Sequence, residues 1–363
     1  MSSYNYIYKK INGGFLMLNL IKPPKLNRGD TIAAVSLSWG GAGDKDIIWR
    51  YEQGKQRLQE IFGLEVVEMP NTLKGSEFVY NHPEKRAEDL MNAFSDTSIK
   101  AVIACTGGND SIRMLPYIDF DIIKNNPKIF SGYSDSTITH LMCLKAGLSS
   151  FYGPSILNDF AENKEMSKYT IDWINKIWFN NDIIGSIPVS DNWTGQFLEW
   201  DICNKDISRE FQSNHGYEII QGEGISYGRL IGGCIEVLEI AKGTLLFPDL
   251  VDFNEAILFF ETAEVNTPEW LFEDILRNYG AMGIYNRING IIFGKPCNEV
   301  FYEEYKATIK KILAEYGKPN MPVMYNASFG HNEPKFTVPY GAKAEINCTE
   351  KTFSILEPAV CNN

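Results

Sequence analysis

Apolar residues recur along this chain in two rhythms. Residues 31–38 (TIAAVSLS) form a short apolar, β-branched run, which predicts a strand buried on both faces. A helix-length segment follows at 46–62 and stops at Gly63, and 64–69 is a second apolar run. Between 84 and 95, Ala87, Leu90, Met91 and Phe94 stand at i, i+3, i+4 and i+7, the spacing that gathers side chains on one helix face. A third strand is predicted at 99–105 (IKAVIAC) and a fourth at 128–133. The fourth runs without a gap into a helix at 134–147 that closes on a glycine. Strands and helices alternating at this spacing predict an α/β layer fold around a mainly parallel sheet.

The rhythm breaks at 181–228, where polar, Gly and Trp residues mix without period, as in SDNWTGQFLEWD. This stretch reads as a linker and a long loop, and long loops in compact domains commonly serve as lids or binding loops. Periodicity returns with a helix at 234–242 after Gly232-Gly233, a strand at 256–260 and a helix at 267–280. A strand at 288–293, a helix at 301–316 and short strands over 335–356 complete the pattern. The expected organisation is an extension at 1–19, an α/β domain at 20–180, a linker and long loop at 181–222, and a β-richer second domain at 223–363. Met17 could be an internal start, which would set 1–16 outside the fold.

Composition narrows the classes. The 363 residues are 44% hydrophobic and 22% charged, ordinary for a globular protein and unlike a disordered one. Lys and Arg total 34 against 46 Asp and Glu, a net charge of −12. Nucleic-acid polymers are bound by clustered Lys and Arg, so that partner is excluded. No apolar stretch approaches the roughly 18 residues of a membrane span, and no secretory signal pattern follows Lys9 and Lys10. Seven scattered cysteines, none in a CxxC pair, fit reduced thiols in a cytoplasmic protein. His82, His140, His215 and His331 are far apart, so no metal site is expected.

Four places carry candidate chemistry. Gly132-Tyr133-Ser134-Asp135-Ser136 lies at a predicted strand-to-helix junction. A nucleophile elbow needs small residues two before and two after the serine; Gly132 and Ser136 supply them, and the Asp135 N–H could help hold an oxyanion. An ordinary helix N-cap accounts for the same residues. Thr106-Gly107-Gly108-Asn109-Asp110 follows a strand, where paired glycines let the backbone approach a ligand or simply make a tight turn. Glu261 directly follows an apolar strand and could orient an imidazole, with Glu264 as its competitor. His331, in Ser328-Phe329-Gly330-His331-Asn332, is the general base by elimination: His82 reads as a helix start, His140 sits inside a helix, and His215 lies in the irregular region. The order Ser134, Glu261, His331 is also that of nucleophile, acid and base in α/β hydrolases. Cys105 precedes the glycine loop but still belongs to an apolar strand, which argues against a cysteine nucleophile.

In this order and spacing, the blocks resemble the LD-carboxypeptidase family of serine peptidases, and within it the microcin C self-immunity branch. The resemblance runs over about 20–350, from Lys22-Pro23-Pro24-Lys25-Leu26 through the glycine loop, the Ser134 block, Gly232-Gly233, Phe260-Glu261, Gly294-Lys295 and Phe329-Gly330-His331. It implies a Ser134–Glu261–His331 triad assembled across two domains, an oxyanion hole from the Gly108 and Asp135 N–H groups, a swivelling β-rich C-terminal domain, a homodimer and no cofactor. It further implies one of two substrates: an aminoacyl- or peptidyl-nucleotide conjugate, or a murein tetrapeptide that loses its terminal D-alanine. The GGND form of the glycine loop and the 181–228 insert favour the first. Gly107 and Asn109 are candidate substrate contacts, and Trp193 or Trp200 could stack a nucleobase or merely pack the loop. Cys234 stands where the family often has Asn, which puts that contact in doubt. Two rivals are a non-catalytic two-domain peptide-binding protein and a general esterase; the β-richer second half argues against the esterase.

Overall fold

The computed structural model describes residues 8–10 and 16–362. The expected extension at 1–19 therefore lies largely outside the described residues.

The first half builds one sheet. Strands β1 (Thr31–Val35), β2 (Glu65–Glu68), β3 (Ile99–Ala104), β4 (Ile129–Gly132) and β5 (Phe151–Tyr152) pair in parallel in the order β2-β1-β3-β4-β5. The apolar runs of β1, β3 and β4 are buried almost end to end, as a sheet with both faces covered requires, while in the edge strand β2 only Val66 is buried. Helices α1 (Ile48–Glu60), α2 (Pro83–Ser95), α3 (Thr137–Ala146) and α4 (Lys168–Trp178) belong to this half. In α2 the predicted face is buried: Ala87, Leu90, Met91 and Phe94 all lie in the core. α3 ends on Gly147 in the left-handed conformation, as the sequence predicts.

The second half builds a larger sheet from β6 (Gly185–Ser186), β7 (Glu218–Gln221), β8 (Ile225–Cys234), β9 (Ala256–Glu261), β10 (Gly290–Gly294), β11 (Val323–Ala327), β13 (Lys343–Asn347) and β14 (Thr352–Ile355). Strand β12 (Val338–Pro339) lies between β11 and β13 in the chain but pairs elsewhere. The sheet order is β7-β11-β10-β9-β8-β13-β14-β6, with β8 to β11 parallel and the outer pairings antiparallel. Helices α5 (Ile235–Ala241), α6 (Glu269–Ala281) and α7 (Tyr302–Glu315) accompany it. The mainly parallel α/β half and the β-rich second half are thus as the sequence predicts.

The structure corrects the reading of 181–228 as irregular throughout, because β7 and the start of β8 lie in it. The usual alternation is inverted there: Ile225 and Tyr227 point to solvent while Ser226 and Gly228 face inward. Ser226 Oγ donates to the Asn289 carbonyl at 2.8 Å, and a side chain at Gly228 would collide with the Glu255 carbonyl. A strand that buries a hydroxyl and a glycine shows no apolar stripe in the sequence.

The two halves exchange edges. β12 adds an antiparallel edge to the first sheet through β5, and β6 adds one to the second sheet through β14. Beside this crossover lies Lys335, 1% exposed, whose Nζ meets Asp159 Oδ1 at 2.8 Å and also the Glu333 carboxylate. Burial alone would depress the ammonium; Asp159 and Glu333 outweigh it and hold Lys335 above its usual range. Removing one partner of a buried ionic cluster leaves the others uncompensated, a loss of about 3–5 kcal/mol. Lys335→Met is therefore expected to lower the unfolding free energy by that order, read as a fall in the denaturant midpoint at unchanged slope. Adding Asp159→Leu to the same protein should recover part of the loss.

Candidate active site

Ser134 sits where β4 gives way to a helical turn. Tyr133 is still extended, at φ −140° and ψ −173°, but Ser134 itself is at φ 60°, inside the left-handed region. For a residue with a Cβ that conformation is costly and persists only when its surroundings hold it. Here the Ser134 N–H donates to Tyr152 Oη at 3.0 Å, and its carbonyl accepts from Thr137 Oγ1 at 2.7 Å. A turn over Ser134–Ser136 then leads into α3, so the junction is strand, turn and helix rather than a helix from 134 onward.

The glycine loop passes directly beside this turn. A Cβ on Gly107 would stand 2.9 Å from Ser134 Cβ and 3.3 Å from the Asp135 nitrogen, so only glycine fits. Buried Arg86 fixes the end of the loop, donating to the Leu37 carbonyl at 3.1 Å and to Asp110 Oδ1 at 2.7 Å. Asp135 is tied to the turn that follows: its Oδ2 accepts from the Ser111 N–H at 2.9 Å. Among the described residues, no protein acceptor takes the Gly108 or Asp135 N–H.

Glu261 ends β9 and is 1% exposed. Tyr152 Oη donates to its Oε1, and its Oε2 meets His331 Nδ1 at 2.7 Å. A carboxylate accepts only, so the imidazole proton on this side is on Nδ1. Gly330 lets the histidine loop close in: any Cβ there would lie 2.7 Å from Glu261 Oε2. The other ring nitrogen, Nε2, meets Glu264 Oε2 at 2.9 Å, and Ser134 Oγ makes no hydrogen bond to it. Burial would lower the His331 pKa, but the paired carboxylates, Glu261 foremost, raise it to about 10. The same contact with His331 draws Glu264 down to about 2.

Ser134, His331, Glu264, Gly107 and Gly108 face one cavity of about 490 Å³, large enough for a nucleotide-sized ligand. Two tryptophans also line it. Trp200 stacks on Trp39 with ring centroids 5.8 Å apart, and the Arg50 guanidinium lies 4.8 Å from the Trp200 ring centre. The loop bearing Trp200 starts and ends at a short antiparallel pair, Asn192–Trp193 with Gln212–Ser213. It is pinned to the first half by the Arg209–Glu162 ion pair and by Asn163 Nδ2 donating to the Asn204 carbonyl at 2.9 Å.

Of the residues singled out from the sequence, Ser134, Glu261 and His331 converge, and Gly107, Gly108 and Asp135 surround the serine. Trp193 does not reach the cavity: it is 5% exposed, with the Lys295 ammonium 4.2 Å above its ring. Asn109 is exposed and outside the cavity lining. Cys105 is fully buried, and burial pushes its thiol up to about 12, as suits a packed strand residue. Buried His140 bonds Ser150 Oγ and the Gly132 carbonyl, each at 2.8 Å. Sequence reasoning missed Tyr152, Trp39 and Arg50. No motif marks them, because each acts through what the fold brings against it.

A serine held in the left-handed region at a strand-to-helix turn belongs to the serine hydrolases, and relatives narrow the class to serine peptidases. The LD-carboxypeptidase N-terminal domain matches residues 32–153 and the LD-carboxypeptidase C-terminal domain matches 227–346, and the chain belongs to that family of serine carboxypeptidases. An MccF-like protein from Streptococcus pneumoniae, crystallised with AMP, is 34% identical, with a TM-score of 0.83 over 90% of this chain and 98% of that one. The microcin C7 self-immunity protein MccF of Escherichia coli is 29% identical over 283 residues, covering 76% of this chain and 78% of its own. A structure of MccF with aspartyl sulfamoyl adenosine, 25% identical, gives a TM-score of 0.82 over 94% of this chain and 100% of that one. A Bacillus subtilis relative named "Probable murein peptide carboxypeptidase" is 26% identical over 351 residues, covering 96% of this chain and 97% of its own.

The groups facing the His331 ring are Glu261, Glu264, Tyr133 and, on its backbone side, Cys297. Removing a carboxylate destabilises the imidazolium, so Glu264→Gln should lower the His331 pKa. Nitrogen-15 NMR of the histidine rings against pH will measure it, and an unchanged midpoint would mean that the contact carries no charge interaction.

Proposed function

We propose that this chain hydrolyses the acyl C–N bond of aminoacyl- or peptidyl-nucleotide conjugates through Ser134, His331 and Glu261. The observation that carries this reading is the cavity itself, lined by a strained serine and by the stacked Trp39–Trp200 pair. An aromatic face in the same cavity suits a nucleobase, because stacking on Trp accepts any base plane. AMP in the Streptococcus relative and aspartyl sulfamoyl adenosine in MccF support it.

In this mechanism His331 Nε2, once Glu264 has turned away and the Nε2 proton has passed to water, takes the Ser134 hydroxyl proton as Oγ bonds to the acyl carbon. Glu261 keeps the proton on Nδ1 and balances the imidazolium charge. The oxyanion accepts from the Gly108 and Asp135 N–H groups. The C–N bond breaks and the departing nitrogen takes the proton from Nε2. Water then adds to the acyl ester, giving a proton to His331, and Ser134 leaves with that proton. Tyr152 is a positioning residue: one hydroxyl holds the serine backbone and the Glu261 carboxylate together.

Purified protein and Ser134→Ala are to be incubated with an aminoacyl sulfamoyl adenosine and with a murein tetrapeptide ending in D-alanine, with products read by mass spectrometry. The expected outcome is release of the aminoacyl group, lost by a factor on the order of 10⁴ or more in the variant. Serine-dependent release of D-alanine alone would overturn the nucleotide reading, and activity surviving in Ser134→Ala would overturn the nucleophile. Trp200→Ala should raise KM for the nucleotide substrate about tenfold or more with a smaller change in kcat, the loss of one stacking contact. An unchanged KM would remove Trp200 from the binding site.

A further inference from the structure

Three carboxylates line the cavity, and the protein's own cations occupy two of them. Glu162 is held by Arg209 and Glu333 by Lys335. Glu264 has no Lys or Arg partner among the described residues; its contact is His331 Nε2, at 2.9 Å. Its side chain is 66% exposed and stands on the loop after β9, so it can rotate without unpacking the core. In the observed position it occupies the one imidazole nitrogen that could receive the Ser134 proton. Catalysis by Ser134 and His331 therefore requires Glu264 to leave the ring, and its carboxylate, still on the cavity wall, is then open to a cation brought by the substrate.

The proposed substrate class carries that partner. In an aminoacyl group the α-ammonium nitrogen is about 2.5 Å from the acyl carbon, two bonds away. A carboxylate touching the imidazole that serves this carbon is within one side-chain rotation of the ammonium. We infer that Glu264 binds the free α-ammonium group of the aminoacyl substrate, and that this exchange of partners lets His331 Nε2 give up its proton to water and act as the base. The inference rests on the aminoacyl-nucleotide reading. It makes Glu264 a specificity residue: an Nα-acylated substrate has no cation at that place and leaves the carboxylate on His331.

The test compares an aminoacyl sulfamoyl adenosine with its Nα-acetyl derivative. The wild-type protein is expected to prefer the free amine in kcat/KM by about 10- to 100-fold, the range of one hydrogen bond to a charged group. In Glu264→Gln the preference should fall to within about threefold, through loss on the free amine, with Glu264→Asp retaining part of it. A fluorophosphonate, which reacts with an activated serine and carries no ammonium, gives a readout in the opposite direction. It should label Ser134 faster in Glu264→Gln than in the wild type, which also shows that the variant is folded. Equal kcat/KM for the two substrates in the wild type, an unchanged ratio in Glu264→Gln, or slower labelling of that variant would each overturn the assignment. Serine-dependent D-alanine release with no turnover of either nucleotide would overturn the functional reading and the ammonium assignment with it, and is told apart by the murein product.

Discussion

Everything at this site hangs on one buried carboxylate. A charge taken out of water is costly unless hydrogen bonds and an opposite charge replace the solvent. Glu261 receives both: the Tyr152 hydroxyl on one oxygen and His331 Nδ1 on the other. These partners come from different parts of the fold. Tyr152 is on β5 of the first sheet, Glu261 ends β9 of the second, and His331 stands in the loop that leads to β12. The carboxylate is satisfied only when the two sheets meet in one relative position. The same tyrosine hydroxyl accepts the Ser134 N–H, so the condition that satisfies Glu261 also holds the serine in its strained backbone state.

The exchange of edge strands serves that constraint. β12 cannot join the first sheet unless the segment carrying Gly330, His331, Glu333 and Lys335 lies across the junction. Lys335 then finds Asp159 on the first half, and its ammonium lies 4.2 Å from the Tyr133 ring centre, next to the serine. Tyr133 in turn meets the His331 ring edge-on at 5.0 Å. A buried ion cluster is weak evidence for net stability, because hydrophobic replacement of all its members can be neutral. Its effect here is on geometry: it fixes which atoms of the two halves face each other, and the histidine inherits that placement.

How much of this was legible in the sequence follows from what each residue depends on. The parallel strands and α2 were readable because burial on one face or both leaves a period in the sequence. The helix Lys168–Trp178 carries the same signal, with Thr170, Trp173, Ile174 and Ile177 buried at helical spacing, and was there to be found. The elbow, the glycine loop and the histidine loop each allowed a plainer use, an N-cap, a tight turn or a surface loop, and only their order along the chain, which resembles the family's, joined them into one site. The start of β8 was not, since its inward face is a hydroxyl and a glycine. Trp193 and Trp200 could not be told apart for a different reason. Both lie in an aperiodic loop, and which one meets the cavity is decided by the pairing at 192–193 and by Arg209 gripping Glu162 forty-seven residues earlier.

Glu264 shows the same limit in its sharpest form. From the sequence it competes with Glu261 for one task, orienting the imidazole. In the structure the two carboxylates take opposite ends of the same ring, and their burial separates their tasks. Glu261, enclosed and anchored by Tyr152, cannot move without losing its hydrogen bonds, so its place beside the ring is fixed. Glu264, on an exposed loop, has water as an alternative partner and loses little by turning away. Under the proposed mechanism, a ring held between both is protonated and no base, whereas a ring held by Glu261 alone can lose its Nε2 proton to water and accept one from Ser134. On that proposal the difference between the resting and the working site reduces to the position of one exposed carboxylate, while strands, elbow and buried acid stay where the fold sets them.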